Sequence, residues 1–282
     1  MIKSRRTRHF KKNIRNIKKN TRKVRRHYNQ AKRNINAFKS KLDDLNTDLI
    51  LIGQGAAGAV YLDPDQPNVV FKVGSKSNTC RVWGKEQKIY KQLEKHNINT
   101  DLVVLLQMNQ FNTYSDTCII ELSRVVNPIN TSANYTVQVQ FGENSIDKIS
   151  PGRGRFLGLS QLKDLNIISE DMLPEYVKQL GTVIGRLHFI AKNDGYDLEV
   201  FAGTKNEKII LYIGDFDLSE MITEYGDEQI KRMAWTLEAV PYFPTLDQAD
   251  LYELFKTAYL EVADSVGQRK VGEAVLNIYT DI

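Results

Sequence analysis

The segment Gly53-Gln54-Gly55-Ala56-Ala57-Gly58-Ala59-Val60 constrains this chain more than any other feature. Three glycines at this spacing let the backbone turn tightly and bring N–H groups against an anion that side chains would otherwise obstruct. Two settings use such a loop, and they differ in the element that comes after it. In dinucleotide-binding folds the glycines open into a helix. Here the apolar runs Leu49-Ile50-Leu51-Ile52 and Ala59-Val60-Tyr61-Leu62 flank the loop. The chain then turns at residues 63–68 into Val69-Val70-Phe71-Lys72-Val73. β-Branched and aromatic residues bounded by Pro, Asp and Asn read as strands around a turn. The glycines therefore form the tip of a hairpin, and Lys72 lies on the next strand, the arrangement of a loop that covers phosphates from above.

A chain of 282 residues with 41% apolar content can bury a full core, as one large domain or as two lobes. No apolar run reaches the ~18 residues of a membrane-spanning helix, so none is expected. Two cysteines, Cys80 and Cys118, are too few for a disulfide framework or a zinc site, which favours an intracellular setting, cytoplasmic or nuclear. The four histidines have no ligand spacing, and no Gly-x-Ser-x-Gly elbow is present, which argues against a zinc centre and a hydrolase triad.

Charge is distributed unevenly. Residues 1–40 hold 16 of the 39 Lys and Arg side chains and no Asp or Glu; the rest of the chain carries all 34 acidic residues. Phe10, Ile14, Ile17, Thr21, Val24, Tyr28, Ala31, Ile35 and Phe38 alternate in steps of four and three, a helical seam surrounded by Lys, Arg and Asn. A basic helix of this kind suits another helix, an anionic membrane surface, a nucleic acid, an acidic protein or the chain's own acidic body. A merely solvated extension is the plain alternative. Sparse aromatics argue against stacking on single-stranded bases.

After Lys72, Trp83, Glu86, Tyr90 and Leu93 recur at helical spacing, which puts a carboxylate on an apolar face. Burying it is costly unless it is paired. Leu102-Val103-Val104-Leu105-Leu106 and Thr117-Cys118-Ile119-Ile120-Glu121-Leu122 read as two further strands. In the second half Leu173, Val177, Leu180, Ile184 and Leu187 predict a helix that ends near His188, a histidine whose apolar surroundings favour a structural role. The acidic stretch Asn193-Asp194-Gly195-Tyr196-Asp197-Leu198-Glu199-Val200 comes next, then the strand-like Ile209-Ile210-Leu211-Tyr212-Ile213 and the triplet Asp215-Phe216-Asp217.

Taken in order, these motifs resemble the protein-kinase-like superfamily, which includes aminoglycoside and choline phosphotransferases, over roughly residues 48–265. The second half is similar to a poorly characterised kinase-like family abundant in fungi. It shares an Asp-x-x-Asp-Val-Glu-type loop (here Asp194 to Glu199), the Asp-Phe-Asp segment, and a turn like Pro241-Tyr242-Phe243-Pro244. The resemblance implies an α+β, two-lobed fold, a small antiparallel β lobe over 43–125 and a mostly helical lobe over 126–282, which the basic helical arm over 1–42 precedes. It implies ATP and magnesium as cofactors. Gly53, Gly55, Gly58 and Val60 would cover the phosphates, Lys72 would contact them and pair with Glu86, and Glu121 and Leu122 would lie against the base. Asp215 would hold the metal, with Asp217 or Glu199 as further ligands, and Asp197 would orient the acceptor hydroxyl. The pattern departs from the superfamily at Ala202, where a metal-binding asparagine is expected, and lacks an Ala-Pro-Glu motif. The expected function is thus an ATP-dependent phosphotransferase of unknown acceptor. The alternative is a pseudokinase or nucleotide-responsive module recruited by its basic arm.

Overall fold

The computed structural model describes residues 29–43, 48–54, 58–74, 77–114, 117–131, 133, 135–150, 154–238 and 241–280. These form an α+β protein with two β-sheets and seven α-helices. In chain order, helix α1 (residues 29–43) precedes β1 (Ile50–Gln54), β2 (Ala59–Leu62), β3 (Val69–Gly74), helix α2 (Ser77–Leu93), β4 (Val103–Leu105), β5 (Met108–Thr113) and β6 (Cys118–Ser123). All of these strands except β4 make one antiparallel sheet in the order β1-β2-β3-β6-β5.

The two faces of this sheet are covered differently, as the period-two alternation of its strands requires. On one face lies α1, whose seam residues Ala31, Ile35 and Phe38 are buried; Phe38 stacks on Phe71 with ring centroids 4.1 Å apart. Lys41 Nζ reaches Asp63 at 2.7 Å and fastens the helix to the turn between β2 and β3. Burial opposes ionisation of Asp63, but hydrogen bonds from Lys41, Gln66 and the Asp65 N–H outweigh it and hold the carboxyl below its ordinary range. The described end of the basic arm thus folds onto the chain's own acidic body. The seam from Phe10 to Tyr28 lies outside the described residues.

Against the other face packs α2, which buries Trp83, Tyr90 and Leu93. The approach is close enough to exclude side chains. A Cβ at Gly74 would come within 2.8 Å of the Trp83 indole, and one at Gly58 within 3.0 Å of the same ring. A disulfide between Cys80 on α2 and Cys118 on β6 joins helix to sheet, with Cα atoms 5.5 Å apart. This corrects the reading of the cysteines: two are too few for a framework, yet enough for one tether.

The second sheet contains β7 (Val137–Gln140), β8 (Asp147–Ser150), β9 (Gly154–Gly158), β10 (Glu199–Lys205) and β11 (Lys208–Gly214). Its order is β4-β11-β10-β7-β9-β8. Here β4 departs from expectation: it pairs in parallel with β11 rather than joining the first sheet. Its place there is taken by the amide-rich β5 at the sheet edge.

Helices α3 (Leu159–Asp164), α4 (Leu173–Gly185), α5 (Asp227–Glu238), α6 (Ala249–Ser265) and α7 (Arg269–Thr280) complete the chain. The apolar repeat of the sequence is the buried stripe of α4, which crosses α6 so closely that a Cβ at Gly181 would lie 2.4 Å from the Phe255 carbonyl oxygen. The helix continues into a π-helical turn, Arg186–Ile190. No described helix is long and apolar enough to cross a membrane.

Candidate functional site

A cleft runs between the two sheets. Ile52, Val60, Leu62, Val70 and Leu122 line it from the first sheet; Gln138, Glu199, Phe201 and Asp215 line it from the second side, with Glu86 and Tyr90 contributed by α2. One end is therefore apolar and the other is crowded with ionisable groups.

The strands determine which side chains reach the polar end. Val60 and Lys72 are cross-strand partners on β2 and β3, so both face the cleft. Across it, β10 and β11 bring Glu199 opposite Gly214, immediately before Asp215. Lys72 Nζ lies 2.8 Å from Asp215 Oδ1 and 5.1 Å from the centre of the Trp83 ring. Asp215 adopts a left-handed backbone (φ 63°), a conformation that a short polar side chain tolerates. Phe216, just past this turn, packs edge-on against the Tyr90 ring at 5.3 Å.

Glu86 lies where helical spacing puts it, buried on the inner face of α2. Its Oε1 accepts a hydrogen bond from the Phe216 N–H at 3.3 Å, and its Oε2 is buried without a hydrogen-bond partner. The expected Lys72–Glu86 ion pair is not formed; the lysine pairs with Asp215 instead. Glu86 still acts on it through space. Burial disfavours the charge on Lys72, but Asp215, Glu86 and Asp217 outweigh it and raise the amine's pKa. Burial also raises the pKa values of Glu86, Glu199 and Asp217, with neighbouring carboxylates reinforcing the shift. Several acids thus confront one lysine, and the region has a surplus of negative charge for a cation to neutralise.

Gly53 and Val60 line the cleft, and Gly58 sits beneath the hairpin against Val73 and Trp83; Gly55 lies outside the described residues. Leu122 lines the cleft, whereas Glu121 points the other way. Its strand alternates, and Glu121 is buried near α1, where Asn109 Nδ2 donates to it at 3.0 Å and burial pushes its carboxyl up to about 7. It is therefore removed from the set of cleft residues. Asp197 is exposed, left-handed (φ 64°) and near enough to Glu199 and Asp217 to influence both. Ala202, the position at which the superfamily pattern expects an asparagine, is fully buried on β10.

The loop that carries Asp197 is organised by a residue to which the sequence pattern assigns no role. Asp194 is fully buried and receives Arg232 Nε at 2.6 Å, the Glu220 N–H at 2.8 Å and the Tyr196 N–H at 3.1 Å. Its own carbonyl accepts from Thr236 Oγ1 and contacts His188 Nε2. His188 is structural, as expected. Its Nδ1 meets the Tyr259 hydroxyl at 2.8 Å, and burial lowers its pKa to about 4. Asn-Asp-Gly in the sequence marks this turn, but both side chains serve it internally: Asn193 Oδ1 accepts from the Gly195 N–H at 3.0 Å.

Among the described residues no group of three or more His, Cys, Asp or Glu side chains is arranged as a ready metal cage. In comparisons with known proteins, the chain matches no family model and no curated sequence.

Proposed function

We propose that the protein is a nucleotide-binding phosphotransferase of the protein-kinase-like kind, with ATP as donor. The observation that carries this reading is the 2.8 Å pair between Lys72, on a strand behind the glycine hairpin, and Asp215, at the turn after β11, which faces it across the cleft. The sheet order β1-β2-β3-β6-β5, with α2 inserted after β3 and a cleft-facing Glu86, supports a two-lobed kinase-like arrangement.

In this reading the base lies in the apolar end of the cleft, between Val70, Leu122 and Phe201, and the phosphates lie beneath Gly53 and Val60. Lys72 holds phosphate oxygens, with Asp215 and Glu86 keeping its amine charged. Asp197 orients the acceptor hydroxyl and takes its proton. The donor set fits magnesium: Asp215 with Glu199 or Asp217 offers hard carboxylate oxygens, and the ion commonly takes only one or two protein carboxylates beside substrate phosphates. Magnesium, when bound, supplies neutralisation of triphosphate charge.

A second reading is favoured by two observations: Lys72 pairs with Asp215 instead of Glu86, and Ala202 is buried in place of a metal-binding amide. It is a nucleotide-responsive module without turnover, which residues 1–40 recruit to a nucleic acid or acidic protein. Thermal unfolding with ATP, with and without magnesium, tests what the two share, since a ligand selective for the folded state raises its stability. The expected result is a rise that Lys72→Met abolishes. No rise at millimolar nucleotide defeats both. Turnover lost in Asp215→Asn and Asp197→Asn supports the enzyme; binding without turnover supports the module.

A further inference from the structure

β5 is the last strand of the first sheet, and among the described residues no strand pairs with its outer side. The hairpin that joins it to β6 determines which of its backbone groups face outward. Tyr114 and Thr117 exchange N–H···O bonds in both directions, so they form a hydrogen-bonded pair. Such pairs alternate along an antiparallel ladder. Thr113 stands opposite Cys118, Asn112 opposite Ile119 and Phe111 opposite Ile120, so the next bonded pair is Asn112 with Ile119. Phe111 and Thr113 therefore turn both N–H and C=O away from β6, toward the open side.

Strand edges are commonly guarded by Pro, by charge or by bulges. The β5 sequence Met-Asn-Gln-Phe-Asn-Thr has neither Pro nor charge, and its irregularity between Met108 and Gln110 leaves the stretch to Thr113 regular. The space beside it is open as well. A groove follows β5 from Met108 to Asn112 and is walled by Asn34 of α1 and Gln87 of α2. These two helices cover opposite faces of the sheet, so a groove that touches both passes beyond the strand's edge, where an added strand would lie.

Charge selects the occupant. Lys91, Lys95, Arg124 and Lys205 line the groove, and among the described residues none of them makes an ion pair. The acids along it are Glu94 and the buried Glu121. Outside residues 1–40 acids outnumber bases, so this groove is opposite in sign to the body that carries it. The basic residues 1–40 share its sign, and two copies meeting edge to edge would set the same lysines against each other. Both occupants are disfavoured. An acidic chain is favoured, and an extended one is what a strand edge holds through its main chain.

We propose that β5 is a docking edge, to which an extended acidic segment of a partner protein adds as a further strand between α1 and α2. The proposal does not involve the cleft and stands or falls apart from the phosphotransferase reading. It is tested on the full chain with a dye-labelled hexapeptide, acetyl-Glu-Val-Glu-Thr-Glu-Val-amide, followed by fluorescence anisotropy. The comparison probes are Lys-Val-Lys-Thr-Lys-Val, the acidic peptide with alternate backbone nitrogens methylated, and a short single-stranded RNA.

The acidic peptide is expected to saturate the protein and the basic one to leave it unbound. Methylation removes main-chain donors without altering charge and should weaken binding at least about tenfold. Reversing Lys91→Glu with Lys95→Glu, both exposed, should weaken it by about tenfold as well. Thr113→Pro removes one outward N–H at an exposed edge position and should cost about fivefold. In NMR spectra the Phe111 and Thr113 amide protons should move downfield on binding. No saturation at millimolar acidic peptide overturns the proposal, and so does a methylated peptide bound as tightly as the unmodified one. Binding of the RNA in place of the acidic peptide, lost on the same charge reversal, overturns it too and makes the groove a general polyanion surface.

Discussion

Breaking the Cys80–Cys118 bond should cost the protein a measurable share of its stability, and the size of the loss depends on the length of chain it closes. The two cysteines are 38 residues apart in sequence. In the chain-entropy treatment a ring of this length restricts the unfolded state enough to stabilise the fold by roughly 4 kcal/mol. For a chain of this size one kcal/mol corresponds to about 2–4 °C in Tm. Reduction with a phosphine should therefore lower the melting temperature by roughly 8–15 °C, and Cys80→Ala/Cys118→Ala should melt near the reduced protein. Differential scanning calorimetry of oxidised, reduced and variant protein provides the comparison. The helix end it secures is the start of α2, six residues before Glu86. Reduction should consequently loosen Trp83 and Glu86 before the second sheet, read as faster amide exchange along α2. A fall below about 3 °C, or two thiols titrating in the unreduced, denatured protein, would refute the reasoning.

Three further outcomes are expected. Phe38→Ala, which empties the site beneath Phe71, should cost about 3–5 kcal/mol in denaturant unfolding and expose residues 29–43 to limited proteolysis. Glu121→Gln should stabilise the protein more at pH 8 than at pH 5. The folded carboxyl titrates near 7, above its ordinary range, so the folded state binds the extra proton and wild-type stability falls as pH rises toward and through that value. The variant lacks that slope, and parallel stability-against-pH curves would contradict the assignment. Asp194→Asn leaves Arg232 without its charge partner and should cost about 3 kcal/mol while disordering the Asp197 loop, checked by calorimetry and by amide exchange over residues 194–198.

Local pattern carries much of this architecture. The hairpin, the strand bearing Lys72, the inward face of α2 with Glu86 and the stripe of α4 all come from periodicity and turn residues within short windows. What escapes such windows is tertiary. The run around Val103 is apolar enough to be a strand in either sheet, and only packing puts it beside β11. β5 is written largely in Asn and Gln, residues with weak strand signals, and it lies at the sheet edge. Glu121 and Leu122 are adjacent in sequence and face opposite ways, so assigning both to one cleft ignores the alternation that the same strand obeys. The polar end of the cleft shows a comparable limit. Lys72 and Asp215 are legible as residues, but which carboxylate the amine chooses depends on a side-chain geometry that no spacing encodes. Asp194 is visible in the sequence only as part of a turn. Its role depends on Arg232, 38 residues further on.

The close seating of Trp83 has a practical consequence. The chain has two tryptophans, and they occupy opposite environments: Trp83 is fully buried beside the amine of Lys72, while Trp235 is 46% exposed on α5. Intrinsic fluorescence therefore divides into a shielded component next to the cleft and a component open to aqueous quenchers. Iodide or acrylamide can silence the second and leave the first, and a cation or anion that draws Lys72 away changes the field on the remaining indole. Trp235→Phe reduces the spectrum to that one reporter. The molecule thus contains its own optical gauge of changes at the cleft, read without a label.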